Sequence, residues 1–200
     1  MKILLASENQ GKVSEISCYL KTLNIECASQ KDFGFQSEPE VGCTFLENAL
    51  KKARFACRCS GLPTLADDSG LIVPRLHGAP GVRSARFAGK NSDDVQNMTK
   101  LLRLMEALVG EDRRAFFVCV MVFLKDEDDP LPIVSSGIWK GLITKVQKGE
   151  HGFGYDPVFF DPLVGKTAGE LTQEEKIIVS HRGKALQEMV EKFKDFVCCE

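Results

Sequence analysis

Apolar residues along the chain fall into two rhythms. Runs of strand length alternate with stretches of helical spacing, and that alternation predicts an α/β fold. The first run, Lys2–Ala6, reads as a buried strand. Val13, Ile16, Leu20 and Leu23 then fall on one helical stripe. A second helix is expected over 44–60, because Thr44-Phe45-Leu46-Glu47 matches a capping box, Gly61 suits a C-terminal cap and Pro63 stops continuation. Leu65 and Ala66 lead into Asp67-Asp68-Ser69-Gly70, and 71–73 is strand-like again. Ser92-Asp93-Asp94 predicts the cap of a third helix with the stripe Val95, Met98, Leu101 or Leu102, Met105 and Leu108, ending at Gly110. Residues 115–124 are almost wholly apolar, which fits a central buried strand. The acidic stretch 126–130 is a turn, and Ile133–Ile143 returns as one or two strands. A last helix from about Lys184 carries Leu186, Met189, Val190, Phe193 and Val197 inward. Residues 74–91 and 145–168 read as long loops, which often carry function. A single domain over residues 1–200 is expected, with no internal repeat or linker.

Composition narrows the class further. A hydrophobic content of 44% and a charged content of 27% fit a protein with a real core. The formal net charge of −2 gives no global attraction to nucleic acid or to a membrane surface, so anions need a local basic cluster. No apolar run approaches the roughly 20 residues that span a bilayer, and the apolar N-terminal stretch is too short for a signal peptide. The spacings of the 8 cysteines, with no C-x-x-C pairs, argue against both a disulfide framework and zinc knuckles, and reduced thiols in the cytoplasm are expected. Cys119 reads as core.

Five segments carry candidate chemistry. Ser7-Glu8-Asn9-Gln10-Gly11-Lys12 joins a strand to a helix, where backbone N–H groups and the positive helix end suit phosphate. It is not a Walker loop, and an ordinary polar turn with a helix cap explains it equally well when taken alone. Asp67 and Asp68 are adjacent carboxylates that repel each other unless a cation or basic group compensates; magnesium accepts one or two carboxylates together with phosphate oxygens. Asp-Ser-Gly is equally common turn chemistry, and taken alone the segment fits both readings. On the second helix, Asn48 and Lys52 share a face, while Glu47 and Lys51 read as a capping acid and a solvated lysine. Gly152-Phe153-Gly154-Tyr155-Asp156-Pro157 offers a flat aromatic between glycines on which a purine could stack. Lys176 and the segment Ser180-His181-Arg182-Gly183 offer donors that can read a purine with an oxygen at position 6, or are simply a helix start with surface charges. His77 and His151 carry no assigned role.

Taken together and in order, S-E-N-x-G-K, T-F-x-E-N-A-x-x-K-A, A-D-D-S-G-L, G-A-P-G-V-x-S-A-R-F, G-F-G-Y-D-P and S-H-R-x-K-A-L resemble the Ham1/RdgB-like family of inosine/xanthosine triphosphate pyrophosphatases, from Ile3 to the last helix. The resemblance implies an elongated mixed central β-sheet flanked by helices, with two lobes and a nucleotide cleft between them. It also implies a magnesium-dependent homodimer that cleaves between the α- and β-phosphates. Carried onto these positions, Ser7, Glu8, Asn9, Gln10, Gly11 and Lys12 form the phosphate-side loop. Asp68 is the general base and a metal ligand, Glu40 assists the metal, Ser69 contacts substrate and Lys52 touches the triphosphate. Phe153, Gly154, Tyr155 and Asp156 form the base pocket with Lys176, His181 and Arg182. Two positions depart from the family pattern: Ser7-Glu8-Asn9 stands where Thr-Gly-Asn is usual, and Gly169 where alanine is usual. A pyrophosphatase of another modified or pyrimidine nucleotide, or a non-catalytic nucleotide-binding module, are the competing expectations; a MutT-type hydrolase lacks its R-E-x-x-E-E helix here.

Overall fold

A computed structural model describes the backbone of residues 2–36 and 38–197, and side chains as far as residue 193. Among the described residues, seven strands follow the order β2-β1-β3-β4-β5-β6-β7 in one mixed sheet. They are β1 (Lys2–Ala6), β2 (Glu26–Ser29), β3 (Thr64–Ile72), β4 (Arg114–Leu124), β5 (Ile133–Ile143), β6 (Phe159–Asp161) and β7 (Lys166–Thr167). The helices are α1 (Gln10–Lys21), α2 (Phe45–Ser60), α3 (Asp94–Leu104), α4 (Gln173–Val179) and α5 (His181–Val197). No helix among the described residues is long and apolar enough to cross a membrane.

The chain divides into two compact units. The first comprises Met1–Asp68, Cys119–Gly137 and Arg182–Glu200. In it β1 pairs in parallel with β2 on one side and with β3 on the other. Alanines and aliphatics from β1, α2, β3 and the C-terminal half of β4 pack its core, among them Leu4, Ala53, Ala66, Val122 and Leu124. Small residues on the buried face of α2 let the helix lie close to the strands. The second unit comprises Ser69–Val118 and Ile138–His181. Its core gathers Leu71, Met98, Leu101, Phe117, Trp139 and Phe159, and β5, β6 and β7 pair antiparallel in sequence.

Several elements follow directly from local chemistry. Asn9 caps α1 by accepting the Lys12 backbone N–H at 3.1 Å. Thr44 and Glu47 close the reciprocal capping box of α2, and Gly61 ends it in the left-handed conformation at φ 67°. Strand β4 sits centrally in the sheet order, as its apolar run requires. Strand β5 is one element whose odd-numbered residues are buried and whose even-numbered residues are more exposed, the period of two that a strand imposes.

Other expectations change. Asp67 to Gly70 form no turn: they lie inside the nine-residue β3. Helix α3 ends at Leu104 rather than near Gly110, and Val95 is exposed, because the stripe begins at Asn97 and Met98. Leu23 is also exposed beyond the end of α1. Helix α5 begins at His181, directly after α4, rather than near Lys184. The stretch 145–168 contains the whole of β6 and β7. The expected inward position of Val197 falls on a side chain outside the described residues, as do Cys198 and Cys199. Gly169 is buried, and a Cβ there would approach the Lys148 carbonyl oxygen to 2.9 Å.

Cys119 is fully buried, and burial pushes its thiol up to about 12. Since a thiol reacts as its thiolate, native protein at pH 8 should leave Cys119 unmodified by iodoacetamide while the exposed Cys18, Cys43 and Cys59 are alkylated. Peptide mass spectrometry reads this directly; labelling of Cys119 at the rate of Cys18 would contradict it.

Candidate active site

Parallel pairing brings Leu4, Leu5 and Ala6 of β1 opposite Thr64, Leu65 and Ala66 of β3. Asp67 and Asp68 are therefore the next residues of β3 where β1 gives way to the loop entering α1. The neighbours of β1 are β2 on one side and β3 on the other, so this is a point where the strand order reverses. The carboxyl ends of strands at such a point are where open α/β sheets place their ligands.

Strand geometry then separates the two acids. Successive side chains on a strand point to opposite faces, and Asp67 and Asp68 meet different partners. Asp67 is 1% exposed and forms an ion pair with the Lys12 ammonium at 2.9 Å. Arg182, equally buried, pairs with Glu15 of α1 and lies 4.0 Å from Asp67. Burial alone would raise the Asp67 carboxyl, but Lys12, Arg182 and Lys52 hold it well below the usual carboxylate range. Arg182 is raised above the ordinary arginine value, its burial outweighed by Glu15 and Asp67.

Asp68 faces α2. Its Oδ2 accepts the Asn48 amide at 3.0 Å, and its Oδ1 lies 3.5 Å from the Lys52 ammonium. Lys52 also donates to Glu40 Oε1 at 2.9 Å. Asn48 and Lys52 thus act from one face of α2, four residues apart, and Asn48 additionally accepts the Gly42 N–H at 2.8 Å, tying down the segment that carries Glu40. Burial pushes the Asp68 carboxyl up, opposed by Lys52 and reinforced by Glu40. Lys52 would be lowered by its burial; Asp68, Asp67 and Glu40 together raise it above the ordinary lysine value. The neighbouring acids thus have opposite characters: Asp67 is a firmly ionised anchor, and Asp68 is a carboxylate whose affinity for a proton is increased.

Two carboxylates, Glu40 and Asp68, converge on one ammonium. Among the described residues no cluster of three or more His, Cys, Asp or Glu is assembled. An oxygen-only pair of this kind fits a hard divalent ion that completes its shell with water and phosphate better than it fits zinc. In the entry loop, Ser7 is half-buried and Glu8, Asn9 and Gln10 are exposed. The carboxylate replacing the usual glycine is therefore at the surface. Lys51 pairs with Glu38 at 3.3 Å, and Glu47 serves the α2 cap.

The other expected residues lie in the second unit. Ser69 follows Asp68 on β3 and is half-buried. Gly152 and Gly154 both have positive φ, 79° and 63°. A Cβ on Gly152 would come within 2.0 Å of Asp156 Oδ2, so glycine is required there by space as well as by backbone. That same Asp156 oxygen accepts the Phe153 N–H at 2.8 Å and the Lys176 ammonium at 2.7 Å. Lys176 is 4% exposed and stands 4.9 Å from the centroid of the Phe153 ring. Tyr155 is buried and donates to the Ser84 carbonyl at 2.8 Å. His181 is buried and stacks on Phe117 at 4.8 Å and 11°. His77 and His151 are exposed.

Glu15 joins the site without having been singled out in the sequence, whereas Asn48 and Asp67 were noted as candidate chemistry but given no role of their own. Glu15 stands beside the apolar stripe of α1, and a buried acid there is recognisable only once Arg182 is known to meet it.

A profile of the Ham1 family matches residues 3–192. The chain belongs to the Ham1 family. The dITP/XTP pyrophosphatase of Salmonella paratyphi A is 47% identical over 97% of this chain and 98% of that protein. The protein of the same description from Escherichia coli K12 is 46% identical over the same shares. Among solved structures, a HAM1 protein from Coxiella burnetii superposes with a TM-score of 0.89 at 43% identity, covering 98% of this chain and 99% of that one. The Staphylococcus aureus Ham1 protein gives 0.83 at 36% identity, covering 98% of each chain. The Ham1 match spans both units, so the Lys12–Asp67 and Lys52–Asp68 pairs and the 152–156 segment all fall within it.

Proposed function

We propose that this protein is a magnesium-dependent pyrophosphatase that hydrolyses noncanonical purine nucleoside triphosphates, namely ITP, dITP and XTP, to the monophosphate and pyrophosphate. The observation that carries the reading is Asp68: a buried carboxylate of raised proton affinity, held by Asn48 and Lys52 beside Glu40. Near full-length likeness to dITP/XTP pyrophosphatases supports the substrate class.

In this reading Asp68 accepts a proton from water as the water oxygen bonds to phosphorus, and the α–β bridging oxygen leaves with pyrophosphate. Lys12 and Lys52 offset the charge that gathers on the phosphate oxygens and the leaving group. Glu40 and Asp68 would hold magnesium, which when bound supplies Lewis-acid neutralisation of those oxygens. Asp67 keeps Lys12 in place from the opposite face of β3. Ser7 to Gly11 offer main-chain donors at the start of α1, and Ser69 contacts the substrate. On the base side, Phe153 supplies the stacking surface, Gly154, Tyr155 and Asp156 frame it, and Lys176, His181 and Arg182 supply donors. A 6-oxo purine accepts from such donors, whereas a 6-amino purine leaves them unpaired at a cost of about 1–3 kcal/mol each. A cytoplasmic homodimer is part of the same proposal.

The test is a panel of initial rates with ITP, dITP, XTP, ATP, GTP and UTP, with and without magnesium. ITP and XTP should exceed ATP in kcat/KM by about 100-fold or more, and EDTA should abolish turnover. Equal rates across the panel would remove the base assignment, and preference for UTP would transfer the chemistry to another substrate class.

A further inference from the structure

The segment 152–156 is held by more than its own residues. The Gly154 N–H donates to Asp94 Oδ2 at 2.7 Å, from a residue 60 positions earlier at the start of α3. Asp94 is not needed as the cap of that helix: Asp93 accepts the Gln96 N–H at 2.7 Å, and the Gln96 side chain accepts the Asp93 N–H, completing the box. Its carboxylate is therefore available to the loop. Phe153 consequently sits between two amides fixed by carboxylates, its own by Asp156 and the next by Asp94. Gly154 adopts φ 63°, a backbone state in which glycine has many competing alternatives, so an external acceptor is what selects this one. One turn along α3, Asn97 accepts the Ala88 N–H at 2.7 Å and donates to the Ala85 carbonyl at 3.1 Å. The start of α3 thus anchors residues 85–88 and the aromatic segment together.

We propose that Asp94 is a positioning residue for base recognition, fixing the Phe153 ring through the Gly154 amide. This rests on the reading of 152–156 as the base side of the site. Asp94 touches no reacting atom, so its removal acts on substrate affinity and discrimination rather than on the chemical step.

The experiment compares Asp94→Ala with Asp94→Asn, which keeps an oxygen acceptor in the same position. Steady-state kinetics with ITP and ATP are combined with hydrogen exchange of the 152–156 amides. Asp94→Ala should raise KM for ITP about tenfold with kcat within about twofold, and should narrow the ITP-to-ATP preference, the scale expected for one lost charge-assisted hydrogen bond. Exchange of the loop amides should accelerate about tenfold. Asp94→Asn should restore all three readouts to near wild type. Unchanged KM and exchange in Asp94→Ala would overturn the proposal, as would a fall in kcat at constant KM, or an Asn variant as impaired as the Ala variant. Failure of the wild type to turn over ITP would remove the base reading instead, while the exchange rates would still decide whether Asp94 holds the loop.

Discussion

Replacing Asp68 by asparagine should lower kcat for ITP by about 10³-fold, the scale of a lost general base, with the melting temperature unchanged or raised. Both halves follow from one environment. Asparagine keeps an oxygen that accepts from Asn48, so the strand position is preserved. The carboxyl is raised in the folded protein, chiefly by burial, which means that its ionised form opposes folding at neutral pH. Removing the charge therefore removes a cost while deleting the base. Rate assays and a thermal melt on the same preparation check the pair. A variant with near wild-type turnover would end the assignment of Asp68, and one with lost activity and a lowered melting temperature would show a structural role instead.

Replacing Arg182 by methionine should destabilise the protein by about 3–5 kcal/mol, because it leaves Glu15 buried without its guanidinium partner and removes a cation from Asp67. Adding Glu15→Gln should recover part of that loss, since the orphaned charge is then gone; denaturant melts of the two single variants and the double variant give the coupling. The pH dependence distinguishes this account from simple cavity formation. The Asp67 carboxyl is lowered in the folded state, so it contributes stability above the ordinary aspartate value of about 4, and that stability is lost as pH falls through and below it. With Arg182 gone the Asp67 carboxyl is lowered less, so the acid loss should be shallower in Arg182→Met than in the wild type. Parallel curves below pH 4 would show that Arg182 does not act through Asp67.

Much of the first unit was legible in the sequence because its signals are local. The Asn9 cap, the Thr44–Glu47 box, the Gly61 stop and the apolar run of β4 each act within a few residues of themselves. What escaped depends on distant partners. Asp-Asp-Ser-Gly has the composition of a turn, yet it continues β3, where the strand sends Asp67 and Asp68 to opposite faces and each meets its own cation. Strands β6 and β7 are three and two residues long, too short to show a period, and they exist through pairing with β5 and with each other. Val95 fits the helical stripe by spacing but faces outward, because α3 buries Asn97, Met98 and Leu101 instead.

The candidate site shows the same division. Lys12, Lys52, Asp68 and the 152–156 segment were visible as residue types in order along the chain. Their pairing was not: Glu15 with Arg182 joins positions 167 apart, and Asn48 with Asp68 joins positions 20 apart. Asn48 shares a helix face with Lys52, which was readable; that this face looks onto Asp68 depends on α2 folding back along β3, so that the start of the helix meets the end of the strand. Asp94 likewise read as part of a helix start, and only the fold brings Gly154 to it.

The most direct measurement is the identity of the products from ITP and magnesium, with pyrophosphate and orthophosphate assayed side by side for the wild type and for Asp68→Asn. The account predicts inosine monophosphate and pyrophosphate in equal amounts from the wild type, no orthophosphate, and neither product at a comparable rate from the variant. Orthophosphate with inosine diphosphate would place the cleavage at the terminal phosphate and contradict the account.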